Sequence, residues 1–255
     1  MKLILSFFLL VLLTGCFRRP DPFIPFGKEL SKEEIQDVVS LTFGNNIENY
    51  RALFSCELQY GRRSINFRQA VVADNKKRVR LETFPEEALY SVALYQNNSE
   101  KAVLLQQDKK EAKLLSQNSL SLNEDLVLQA RPQDVMPLFA HTLYVSQYAL
   151  VKGFQEGEKI TIVEGDGRKE WQITNKTLTQ FISRDSSQKK ELIFSNLSSE
   201  YEDNFLLPEK IEIELPEKSY VLLCNRGRTE VNIDLKDSLF EPSIPSSWSI
   251  IDMRK

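Results

Sequence analysis

The chain offers few side chains able to do chemistry: one histidine, His141, and three cysteines, Cys16, Cys56 and Cys224. His141 stands within "PLFAHTLY", and a lone histidine cannot build a multi-histidine metal site. No cysteine pair has zinc-site spacing, and neither a G-x-S-x-G elbow nor a glycine-rich phosphate loop is present. Carboxylate pairs occur at Glu33-Glu34, Glu86-Glu87 and Glu212-Glu214. The first reads as a helix start and the last as an outward alternation on a strand, so solvated charge accounts for them. With no nucleophile-base set, we expect no enzyme, no metal and no cofactor.

Cys16 has a different setting. Lys2 and the run "LILSFFLLVLL", Leu3 to Leu13, have the charged and apolar regions of a secretory signal. The run is too short for a membrane span, which needs about 20 apolar residues. Leu13-Thr14-Gly15-Cys16 resembles the lipobox of bacterial lipoproteins. That resemblance implies cleavage before Cys16, acylation of the cysteine, and a domain held to the membrane by its acyl chains. Each buried methylene contributes about 0.8 kcal/mol, so two or three chains hold far more firmly than one. Phe17, where the family's inner-membrane sorting signal carries Asp, implies an outer-membrane lipoprotein of the cell envelope on the periplasmic face. Arg18-Arg19 beside the anchor could pair with phosphate head groups or simply be solvated.

Composition bounds the rest. With 42% hydrophobic and 27% charged residues the chain has material for a sizeable core. The net charge of -3 becomes -4 when the single positive charge of Lys2 is removed, and the basic pairs are scattered, so nucleic acid is not an expected partner. Cys56 and Cys224 both fall in strand-like runs. They could form a disulfide in an oxidising compartment or lie apart as small buried groups.

The expected organisation is a signal peptide over 1–15, an acylated cysteine with a Pro-rich tether over 16–29, and one domain over 30–255. Ser31 and Glu34 form an S-x-x-E capping box, with Leu30 and Ile35 in hydrophobic-staple positions, so a helix should start there and stop near Gly44. From about residue 52 the apolar period becomes two, as in "LFSCELQY". Strands are expected at about 64–73, 76–84, 89–96, 101–106 and 111–116. Residues 121–144 read as two helices. Strands resume at about 159–164, 169–174, 177–183, 190–197, 209–215, 218–225 and 229–234, before a Pro-rich tail that could rejoin the sheet. About a dozen antiparallel strands in a mainly β (α+β) chain favour a curved sheet forming an incomplete barrel.

This order resembles the LolA/LolB lipoprotein-carrier superfamily. The resemblance rests on a helix leading into "ENYRALFSCELQYG", on "RVRLETFPEEALYSVALY", and on "LPEKIEIEL" followed by "EVNIDL". It implies an incomplete β-barrel under a helical lid that holds an acyl chain or a lipoprotein cargo. Phe54, Leu58, Tyr60, Val79, Leu81, Val92 and Leu94 would then be the cavity floor, and Leu138, Phe139 and Leu143 the lid. Leu89 would sit on the membrane-contact loop, or would simply begin a buried strand. The same inward pattern also describes a filled core. The competing class is an envelope scaffold that binds a protein partner and has no ligand cavity.

Overall fold

The computed structural model describes residues 26–43, 47–74, 78–85, 91–96, 101–116, 151–164, 166–202 and 205–254. The expected signal, most of the tether and the two midway helices lie outside them. So do Cys16, Leu89, Leu138, Phe139, His141 and Leu143.

Helix α1 (Lys32–Phe43) follows a short strand, β1 (Lys28–Leu30). Its start is the reciprocal cap expected from the sequence: the Ser31 N–H donates to Glu34 Oε2 at 2.7 Å and the Glu34 N–H donates to Ser31 Oγ at 3.2 Å. Leu30 and Ile35 are both buried, as a staple requires. The hydrogen bond from Lys28 at 2.8 Å, aided by the Ser31 N–H, holds the Glu34 carboxyl below the usual range.

The strands that follow are β2 (Asn49–Tyr60), β3 (Arg63–Asp74), β4 (Arg78–Pro85), β5 (Ser91–Gln96), β6 (Lys101–Gln106) and β7 (Glu111–Ser116). After the midway region come β8 (Val151–Glu156), β9 (Lys159–Glu164), β10 (Lys169–Thr174), β11 (Thr177–Arg184), β12 (Lys190–Glu202), β13 (Phe205–Leu215), β14 (Tyr220–Val231) and β15 (Ser249–Asp252). Among the described residues they form one sheet in the order β1-β8-β9-β10-β11-β12-β13-β14-β2-β3-β4-β5-β6-β7-β15. Neighbours are antiparallel except β15, which runs parallel to β7. The sheet is large, curved and open, because β1 and β15 end it without pairing to each other.

Short turns set the meanders. Asn175 and Lys176 take φ of 51° and 62°, the two positive values a two-residue type I′ hairpin needs, and so connect β10 to β11. Two features depart from the sequence reading. Val151–Glu156 is a strand that the reading did not assign. The runs at 218–225 and 229–234 are largely one strand, β14, with a register shift between Arg226 and Thr229. Arg226, with its side chain 2% exposed, fixes that bulge by donating to the Pro208 carbonyl at 2.8 Å and to Thr229 Oγ1 at 3.0 Å.

After β14 the chain is tied down at Asn232, whose N–H donates to the Asn49 carbonyl at 3.0 Å and whose Oδ1 accepts from the Glu48 N–H at 2.7 Å. It then crosses from β14 to the far edge. On the way Phe240 is buried beneath the Arg78 guanidinium, 4.3 Å from the ring centre, and Arg80 donates to the Leu239 carbonyl at 2.7 Å. A cation over an aromatic face contributes about 0.5–2 kcal/mol. The tail ends as β15, so the expectation that it rejoins the sheet describes what is seen.

Helix α1 lies on the same sheet face as most of the large apolar side chains. It reaches that face through Gly153 of β8, where an added Cβ would stand 2.7 Å from Ile35 Cγ1 and 3.3 Å from Leu30 Cβ. Only a residue without a Cβ lets the helix settle this close.

Candidate functional site

Alternation along the strands divides the sheet into a core face and an outer face. On β2 the core face carries Tyr50, Ala52, Phe54, Cys56 and Leu58, all buried. Opposite them on β3 stand Ala73, Val71, Gln69, Phe67 and Ile65. The apolar surface continues through Val79 and Leu81 of β4, Leu104 of β6 and Leu115 of β7. In the other direction it passes through Leu222 of β14, Ile211 and Ile213 of β13, Phe194 of β12, Phe181 of β11 and Trp171 of β10. Each such side chain contributes about 1.5–3 kcal/mol on burial. One apolar face therefore extends over nearly the whole sheet.

Among the proposed floor residues, Phe54, Leu58, Val79 and Leu81 lie on this face and are buried. Tyr60 lies at the end of β2, partly buried, with its ring edge-on to Tyr220 at 6.1 Å. Val92 and Leu94 are placed differently. The register sets position 92 against Glu82 and position 94 against Arg80, whereas Leu81 and Val79 pair with positions 93 and 95. Because pairing partners share a row, positions 92 and 94 belong to the outer rows, and the sequence reading grouped them with the floor one residue out of register.

Cys56 and Cys224 face each other across β2 and β14, with Cα atoms 4.1 Å apart, and are joined as a disulfide. This spacing is that of the closer kind of antiparallel pair. The bond staples the first strand of the meander to the last long strand of the chain.

The core face also carries buried polar residues that the sequence reading missed: Lys113, Ser183 and Thr229, which pair with Leu104, Leu192 and Ala52, and the set Gln69, Thr83 and Gln106. Gln69, Thr83 and Gln106 are buried in alternation with apolar neighbours. Their signal was available: each occupies an inward position of an otherwise apolar strand. Thr83 Oγ1 donates to Gln69 Oε1 at 3.0 Å.

The outer face has its own opening, a groove of about 590 Å³. One cross-strand row of its lining is Asn225, Ser55, Arg68 and Phe84, and the next is Leu223, Glu57 and Asn66. It is polar, and it lies away from the cavity expected on the core face. Beside it, burial pushes the Glu212 carboxyl up, and Glu214 on the same side of β13 adds like charge. Further along the outer face Glu170, almost wholly buried, pairs with Arg184 at 2.7 Å and accepts from Gln172 at 2.8 Å. Among the described residues no group of three or more metal-ligating side chains comes together.

No protein-family model matches the chain, and no curated protein does. Solved structures do. A DUF1329 family protein from Desulfovibrio piger superposes with a TM-score of 0.63 at 8% identity, covering 81% of this chain and 97% of that one. A LolA superfamily protein from Nitrosomonas europaea gives 0.57 at 9% identity, with coverage of 81% and 97%. A putative outer membrane lipoprotein-sorting protein domain from Vibrio parahaemolyticus gives 0.56 at 9% identity, with coverage of 82% and 95%. Similarity at this identity speaks to the fold alone. The chain thus has a LolA-like fold: a large curved antiparallel sheet, not closed into a barrel, with a helix on its apolar face.

Proposed function

We propose that this protein is an envelope lipoprotein that binds an acyl chain, of a lipid or of another lipoprotein, on the core face of its open sheet. The observation that carries the reading is the extended apolar core face of a LolA-like sheet that, among the described residues, stays open at both edges. Solved neighbours named for the LolA superfamily and for outer-membrane lipoprotein sorting support it. Binding is driven by moving methylenes out of water, with no covalent step, cofactor or metal. In this reading Cys16 carries the anchoring acyl chains, the protein faces the periplasm from the outer membrane, and Leu138, Phe139 and Leu143 close over the chain. Leu89 touches the membrane during transfer. The Cys56–Cys224 disulfide supports an oxidising compartment.

Titration with an environment-sensitive acyl probe tests the reading. Saturable fluorescence enhancement that phospholipid competes away is expected, and a flat titration would remove the carrier role. Cell fractionation tests the anchor: Cys16→Ser should move the protein from the membrane to the soluble fraction.

A second reading, a platform for a protein partner, is favoured by β15. Among the described residues this terminal strand has one unpaired edge, and it carries Ile250, 60% exposed, with Ile251 and, just after it, Met253 also exposed. Such an edge can accept an added strand. Crosslinking in whole envelopes would then capture a stoichiometric partner through β15.

A further inference from the structure

A polar row interrupts the apolar rows of the core face, with Val71 on one side of Gln69 and Phe67 on the other. Along β3 and β4 the paired residues Ala73 and Val79, then Val71 and Leu81, form two apolar rows, which Leu115 and Leu104 continue on β7 and β6. The next row pairs Gln69 with Thr83, then position 83 with 91, and position 91 with Gln106. Gln69 and Thr83 are each 5% exposed and Gln106 is 1% exposed, so the row is dry.

Its bonding is incomplete at Gln69. The Gln69 carboxamide accepts from Thr83 through Oε1, but Nε2 is buried and has no hydrogen-bond partner. More than about nine in ten buried polar groups are satisfied, and an orphaned amide donor costs on the order of 1–3 kcal/mol. The atom therefore calls for an acceptor. That acceptor must bring no positive charge into an apolar setting, and it must stand beside Gln69, roughly 13 Å, four residues of strand, from Ala73.

We propose that Gln69 Nε2 donates to the acyl carbonyl of the bound lipid, with Thr83 holding the carboxamide in place. The inference rests on the acyl-binding reading above and adds to it an orientation. The alkyl chain lies along the rows of Val71, Leu81 and Val79, and its ester or amide carbonyl stops at the row of Gln69 and Thr83. The hydrogen bond rewards the carbonyl in addition to the chain, so the protein distinguishes acyl from alkyl lipids. A buried water would satisfy Nε2 equally well and would confer no such preference.

The test uses the full chain and two lipids that differ only at that carbonyl: 1-palmitoyl lysophosphatidylcholine and its 1-O-hexadecyl ether analogue. Each competes against the environment-sensitive acyl probe. Wild-type protein should prefer the ester by about 3- to 10-fold, the effect of one hydrogen bond in a dry site. Gln69→Leu should abolish the preference by weakening the ester and leaving the ether unchanged. The same variant removes the orphan donor but also takes the acceptor from Thr83 Oγ1, so it should melt close to wild type. Thr83→Val, which frees the carboxamide, should reduce the preference without abolishing it. Equal affinity of wild type for both lipids, or a preference that survives Gln69→Leu, overturns the inference while leaving acyl binding standing. Failure of both lipids to displace the probe overturns the inference and the acyl-binding reading together.

Discussion

Replacing Gly153 with alanine should unseat helix α1 from the sheet. The new Cβ would stand 2.7 Å from Ile35 Cγ1, 3.0 Å from its Cδ1 and 3.3 Å from Leu30 Cβ, all inside the usual carbon contact of about 3.5–4.0 Å. Two elements must move, because Leu30 belongs to β1, which pairs with β8 at this very residue, and Ile35 belongs to the first turn of the helix. Overpacking of this kind costs about 1–3 kcal/mol. Replacing a strand glycine returns about 0.5–1 kcal/mol of backbone entropy. Taking the middle of each range, the net loss is about 1 kcal/mol, or a Tm lower by roughly 2–4 °C for a domain of this size. The assay is thermal unfolding of four proteins: wild type, Gly153→Ala, Ile35→Ala and the double variant. Ile35→Ala alone should cost about 2–5 kcal/mol, and the double variant should cost less than the two single losses together, since the truncated side chain makes room for the Cβ. A Gly153→Ala protein as stable as wild type, or strict additivity with Ile35→Ala, would refute the account of how the helix is seated.

Other expectations follow from the same contacts. The Cys56–Cys224 bond closes a separation of 168 residues, which in the chain-entropy description contributes about 5 kcal/mol, so Cys56→Ala/Cys224→Ala should unfold at markedly lower denaturant than the oxidised protein and at about the same point as the reduced one. Ser31→Ala should cost about 1 kcal/mol through loss of the helix cap. The Glu34 carboxyl is held below its unfolded value, so its contribution is present above the ordinary carboxylate range and fades as pH falls through the lowered folded value; Glu34→Gln should flatten that acid limb of the stability profile. Arg184→Met leaves Glu170 buried and uncompensated at a cost of about 3–5 kcal/mol, and adding Glu170→Gln should restore part of it in a denaturant titration.

Much of this architecture was legible in the residues. Ser31, Glu34, Leu30 and Ile35 announced the helix start because capping is a local matter decided within four residues. The period of two in "LFSCELQY" gave the inward set of β2 because one-sided burial imposes strict alternation. Strand β8 escaped notice because "VKGFQE" contains a glycine that weakens any strand reading, and the reason for that glycine is a helix distant in sequence. Register was beyond reach for the same reason. Val92 and Leu94 look like floor residues in their own run, but their row depends on how β5 pairs with β4, a property of two segments. The polar row of Gln69, Thr83 and Gln106 is a third case, since three separate strands bring it together. Each residue taken alone reads as an ordinary interruption.

Native mass spectrometry of the chain carrying Cys16→Ser, purified from the host envelope, tests acyl binding most directly. The substitution removes the acylation site proposed at Cys16, so any acyl mass must be cargo. The account predicts a fatty acid or phospholipid adduct that stays with the folded protein and departs on unfolding. A bare mass that remains bare after incubation with phospholipid and acylated peptide would contradict it.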